Sequence, residues 1–289
     1  MKDDAGIKKN SLVMILVFSL ILVLVRFLYD FILLKYLHDL NYVQLYQTLL
    51  TLRNFIPLLS VIATILLLRM RVRESLKEYG LRKCKFRLLL LSGLMPYLMY
   101  GIGVFYAFAI GLEVVNPLIP LYRDYGTNLP EGGEGFILTL SLLSTLFVGS
   151  TILCLIMLGQ ELGWRGLLLK EVLTTLKNPL ISSVLVGILW GLWYAPLITL
   201  YGIYYPQHRN LVGILTMVTA CCSLSILFSH LRLKIGSVLA PSAASGVLNG
   251  LHNLMVYTVI SDEIYSMPVG ILGISATITL AVIMHFIWK

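Results

Sequence analysis

Gly159-Gln160-Glu161-Leu162-Gly163-Trp164-Arg165-Gly166 stands at the end of an apolar segment that begins near Phe136, and it brings a carboxylate, an amide and a guanidinium together there. A charged side chain at the centre of a membrane helix costs at least ~2.5 kcal/mol, so such residues are paired, functional or both. Glu161 and Arg165 are four residues apart with the acid first, the favourable order for a pair on one helix face. Taken alone, the octapeptide predicts a structural ion pair at the membrane border.

The chain around it is too apolar for a soluble domain. Of its 289 residues 58% are hydrophobic and 12% charged, and the mean hydropathy is +0.88; soluble domains carry about 25% charged residues. Apolar segments of about 20 residues cross a hydrocarbon core about 30 Å thick. Eight are expected: 11–37, 51–70, 88–112, one from 136 that delivers the 159–166 motif, 180–200, 211–231, 235–260 and 268–288. The expected fold is an all-α polytopic helix bundle, with residues 1–289 as one membrane domain.

The first run is too long and too rich in polar residues for a cleaved signal peptide and reads as a retained span. Arg26 and Asp30, four apart within it, are expected to pair. The link His38-Asp39-Leu40-Asn41 and the interfacial Tyr42 and Tyr46 precede the second span. Residues 69–87 then carry eight Lys and Arg against Glu74 and Glu78. That bias predicts a cytoplasmic loop, in contact with anionic lipid rather than nucleic acid. The loop Glu113–Gly135 holds Glu113, Asp124, Glu131 and Glu134 against Arg123, which fits the outer face and a contact with an extracytoplasmic partner. Charge thus predicts cytoplasmic N- and C-termini. Cys84, Cys154, Cys221 and Cys222 have no metal-binding spacing and read as free thiols. His38, His208, His230 and His285 read as polar tips near helix ends or in loops.

Three separated stretches carry more information together than singly. They are Gln160-Glu161-Leu162-Gly163-Trp164-Arg165, then Trp190-Gly191-Leu192-Trp193-Tyr194, then Ser245-Gly246-Val247-Leu248-Asn249. In order, spacing and flanking residues they resemble the CAAX protease and bacteriocin-processing (CPBP, or Abi) family of membrane proteins, most strongly over 136–260. The resemblance implies the pattern E-E-x-x-x-R, F-x-x-x-H and H-x-x-x-N on three helices, a cavity between the fourth, fifth and seventh spans, and glutamate-dependent or metal-assisted intramembrane proteolysis of CAAX-type substrates. Peptide hydrolysis needs a base to activate water and donors or a metal to stabilise the oxyanion.

At the motif positions Glu161, Arg165 and Asn249 keep the family's residue types, whereas Gln160, Tyr194 and Ser245 replace its first Glu and both its His. An amide cannot accept a proton from water, and without imidazoles the metal-ligand set is lost as well. The expectation is a catalytically inactive family member, without metal or cofactor, that binds and regulates a membrane protein or peptide partner in the cell envelope. A bacterial cytoplasmic membrane is what the resemblance implies. The alternatives are an active endopeptidase that uses Glu161 with noncanonical groups such as His252, seven residues after Ser245, and a bacteriocin-immunity protein. A transporter is disfavoured because no internal repeat or matching pair of broken helices is visible.

Overall fold

A computed structural model describes residues 2–36, 43–130 and 132–287. The expected link 38–41 with His38, together with Tyr42, Glu131, Trp288 and Lys289, lies outside the described residues. The chain is an all-α bundle. Helix α1 (Lys2–Phe27) continues through a π-helical stretch, Leu28–Leu34. Helix α2 (Val43–Leu52) joins α3 (Ile56–Leu67) through a 3-10 turn at Arg53–Phe55. The basic segment folds as α4 (Val72–Glu78), and α5 (Phe86–Ala109) leads to a short α6 (Leu118–Asp124) within the acidic loop.

The long fourth segment is α7 (Glu134–Val148), a π stretch Gly149–Leu153, α8 (Cys154–Glu161), a second π stretch Leu162–Leu168, and α9 (Leu169–Leu176). It is followed by α10 (Pro179–Tyr201), α11 (Leu211–Ile235), α12 (Leu239–Thr258) and α13 (Ile271–Ile287). Asn178 caps α10 by accepting from Ile181 N–H, and Pro179 at the first turn suits its missing donor. Gly202 and Gly236, both at positive φ, end α10 and α11.

Among the described residues, six helical segments are long and apolar enough to cross a membrane, where eight were expected. The expected span 235–260 forms α12, and every residue from Ala240 to Leu248 in it is buried. A helix enclosed on all sides needs no lipid-facing apolar stripe. Its Ser, Gly and Ala instead let α5, α8 and the Gly149–Leu153 stretch close around it. The last expected span gives α13, 17 residues long. Helices α10 and α11 are the other tightly packed pair: a Cβ on Gly187 or Gly191 would lie 2.5 Å from the Cα of Cys222 or Val218.

The loops sort by charge to two ends. At the basic end Gly80 O accepts from Val238 N–H at 2.9 Å, Ser237 donates to Arg82 O at 2.7 Å, and Lys170 pairs with Glu78 at 2.7 Å. Met14 lies against Tyr79, and His285 shares a groove with His230 and Asn178, so α1 and α13 both reach this end. At the acidic end Val114 bridges Val259, and Tyr205 donates to Val269 O at 2.7 Å.

The expected Arg26–Asp30 pair is present, and Asp30 has a second, closer partner. Arg26 lies 3.4 Å from Asp30, whose carboxylate takes two bonds from Arg53 at 2.8 Å each, with both partners buried. Arg53 enters the second span on the turn before Pro57, and its guanidinium also donates to Trp193 O at 2.7 Å. A bidentate pair that satisfies most of its donors is how a charge persists in this environment.

Candidate functional site

The three sequence motifs converge where α8, α10 and α12 meet. Gln160, Trp190, Tyr194, Ser245, Asn249 and His252 share a cavity of about 40 Å³, completed by Tyr204 and by Cys221 of α11. That is room for a few water molecules. The replaced motif positions, Gln160, Tyr194 and Ser245, thus face one space, as the resemblance implied.

Gln160 is held at both ends of its amide. Its Nε2–H₂ donates to Asn54 Oδ1, and its Oε1 accepts from Trp190 Nε1–H at 3.2 Å. Asn249 donates to Ser245 O at 2.8 Å and approaches Met157 Sδ at 3.3 Å. The Tyr194 ring meets Trp193 edge-on at 5.0 Å and Tyr204 at 5.5 Å, and Tyr204 in turn meets His252 at 5.5 Å. Aromatic rings in edge-to-face contact therefore fill the space beside the amide.

Glu161 and Arg165 are not on the cavity. One residue beyond Gln160, Glu161 is turned by about 100° on a helix, and its Oε1 accepts from Arg165 Nη1 at 3.1 Å. The expected ion pair is present, with both side chains buried. The Arg165 guanidinium lies 4.2 Å from the Trp190 ring centroid and 5.3 Å from that of Phe228, so the pair backs the wall that Trp190 presents to the cavity. Glu161 Oε2 and Arg165 Nε and Nη2 make no hydrogen bond among the described residues. The π stretch that carries Arg165 is a local departure of the kind often found at functional sites.

A family model described as Type II CAAX prenyl endopeptidase Rce1-like matches residues 140–251. Residues 140–251 are an Rce1-like domain. The Rce1-like domain runs from α7 into α12 and contains every motif position. No curated protein matches the chain. Two site residues, Arg53 and Asn54, come from outside the domain. Arg53 stacks on Trp193 at 3.5 Å while Asn54 holds Gln160. Sequence reading passed over them, although an Arg-Asn pair at the start of an apolar run was itself a signal.

The donors at the cavity do not fit a catalytic metal. Zinc takes thiolate, imidazole or carboxylate ligands, three from the protein in catalytic sites. Here the lining offers Cys221 and His252 of those types, and the Gln160 carbonyl is already engaged by Trp190. Among the described residues, His, Cys, Asp and Glu come close enough to share an ion at His208, Asp262 and Glu263, in the loops of the acidic end.

That loop cluster is a hydrogen-bonded contact between His208 and Asp262. Both Asp262 oxygens lie 2.9 Å from His208 Nε2, and Ile264 N–H also donates to the carboxylate. The His208 and Ile264 bonds together hold the Asp262 carboxyl below its ordinary value. The carboxylate's contribution to the tie between the two loops is therefore present above about pH 4, the unfolded carboxylate range, and is lost as pH falls through the lowered value. Asp262→Asn at neutral pH is expected to speed amide hydrogen exchange in residues 202–210 and 259–266. Unchanged exchange there would show that His208 and Asp262 do not couple these loops.

Proposed function

We propose that this chain is a catalytically silent CAAX protease-like protein that binds and regulates a membrane or cell-envelope partner. The observation that carries this reading is the state of Gln160. At the position of the family's base stands an amide, fixed by Asn54 and Trp190, with tyrosine and serine facing it at the positions of the two imidazoles. Neither Gln nor Ser supplies a base near neutral pH, and the Tyr194 ring packs among other aromatics. The retained Glu161–Arg165 pair and Asn249 keep the frame while the reaction is lost. The cavity holds only a few water molecules, so this reading assigns the partner contact to outer surfaces such as the loop 113–135.

The sidedness follows from charge, with the basic end and both termini cytoplasmic in a bacterial cytoplasmic membrane. Nucleic acid has no part in this reading. An active enzyme built on Glu161 and His252 is disfavoured, because Arg165 holds Glu161 behind Trp190 while His252 faces the cavity.

The test is cleavage of prenylated and hydrophobic peptides by the native chain and by the triple variant Gln160→Glu, Tyr194→His, Ser245→His. The native chain is expected to cut nothing above background, and the triple variant to cut. A carboxylate at 160 would keep the Trp190 donor and gain one from Asn54 once its amide turns over. Cleavage by the native chain that disappears in Glu161→Gln would overturn the proposal. A partner that co-purifies reproducibly from membranes is the second expected result.

A further inference from the structure

At the acidic end the cavity is roofed by loops. Its walls come from α8, α10, α11 and α12, and the rest of the lining is Tyr204, between α10 and α11, with Pro268 and Val269 ahead of α13. Helix α10 stops at Gly202, whose N–H bonds back to Ile198 O at 3.1 Å, and two residues later Tyr204 is on the cavity. Tyr204 has a φ of 72°, in the left-handed region. Glycine enters that region freely, whereas the Cβ of a tyrosine crowds the following carbonyl. Strained residues of this kind persist where their surroundings hold them, and they concentrate at clamps and switch segments. Here the hold is on the ring, which meets Tyr194 and His252 edge-on at 5.5 Å each.

The roof is fastened at a few points. Tyr205 donates to Val269 O at 2.7 Å, which joins its two halves, and His208 Nε2 lies 2.9 Å from both Asp262 oxygens. The walls are held differently. Gly187 and Gly191 bring the backbones of α10 and α11 together along their length, so the walls move only with the bundle. A loop held by a hydroxyl, a loop-to-loop contact and ring edges opens at lower cost than packed helices do. Below the roof, on the α11 wall, Cys221 is 1% exposed.

We propose that the 202–206 loop is a lid, which closes the cavity with the Tyr204 ring and swings away from Val269 to admit small molecules from the acidic end. The test is thiol labelling of the purified full chain in micelles with methyl methanethiosulfonate, read by intact mass. Cys221 is left as the sole cysteine by Cys84→Ser, Cys154→Ala and Cys222→Ala. It is expected to react far more slowly than in the unfolded chain. Tyr204→Gly should abolish that protection, and Tyr204→Phe should keep it because the ring remains. Tyr205→Phe retains the Tyr204 ring and removes the bond to Val269 O, so faster labelling in that variant reports movement of the loop rather than a missing wall. The control is a chain with Cys154 as its sole cysteine that also carries Tyr204→Gly. Cys154 is buried and is not on the cavity lining, so it should stay protected while the bundle is intact. Labelling reads access and not cleavage, so a silent and an active site give the same result. Protection of Cys221 that survives Tyr204→Gly, labelling unchanged by Tyr205→Phe, or exposure of Cys154 together with Cys221 would overturn the proposal.

Discussion

Replacing Arg53 with Met is expected to destabilise the bundle by about 3–5 kcal/mol, the cost of leaving a buried charge without its partner. Asp30 takes two 2.8 Å bonds from Arg53, and both side chains are at most 2% exposed. The substitution also removes the donor to Trp193 O and the guanidinium stacked 3.5 Å from the Trp193 ring. Arg26→Met is the control. Its contact with Asp30 is longer, at 3.4 Å, and Arg26 is 17% exposed, so its loss should cost no more than about 1 kcal/mol. The double variant Asp30→Asn, Arg53→Met should recover much of the loss, because no ion is then left alone. The measurement is the unfolding midpoint in rising mole fractions of denaturing detergent. Equal midpoints for Arg53→Met and Arg26→Met would mean that Arg53 is not the principal partner of Asp30.

Gly246→Ala is expected to be among the most damaging single-methyl changes in the chain. A Cβ there would meet three backbone atoms at once: Gly149 O, Cys154 N at 2.8 Å and Leu153 C at 2.9 Å. Side-chain tips can rotate away, but these atoms move only if the Gly149–Leu153 stretch moves with them. Overpacking costs about 1–3 kcal/mol where side chains can yield, and this site should fall at or beyond the upper end. Because Ser245 and Asn249 flank the contact, the cavity should distort as well. Gly101→Ala in α5 is the comparison, since nothing lies within 4 Å of its added methyl; helix propensity there favours Ala by up to about 1 kcal/mol. If the two variants unfold at the same midpoint, α12 does not lie against the 149–154 backbone as described.

Both predictions concern contacts that the linear chain does not display. Asp30 and Arg53 are separated by a segment that reads as a link and a new helix, so the i, i+4 rule found Arg26, which does pair with Asp30, and missed Arg53. The rule describes a helix surface, and Asp30 faces the interior of the bundle. The 235–260 segment, expected as a span whose Gly, Ala and Ser permit close helix approach, forms α12, which is not among the six segments apolar enough by themselves to cross a membrane. Its Ser, Gly and Ala lower its mean hydropathy and at the same time let other helices enclose it.

The sequence by itself determined the membrane-embedded all-α class, because a backbone in hydrocarbon must bond internally and long apolar runs leave it the helix. It also determined the sorting of basic and acidic loops to opposite ends, and the three motifs whose replaced residues share one cavity. These depend on composition and on spacing within single helices, which the linear chain carries. Only the tertiary structure decided that Gln160 faces the cavity while Glu161 turns to Arg165, that Asn54 and Arg53 reach the site from another helix pair, and that α12 is enclosed. Those facts depend on the rotation of each helix about its axis and on which helices neighbour it. Packing between distant segments sets both.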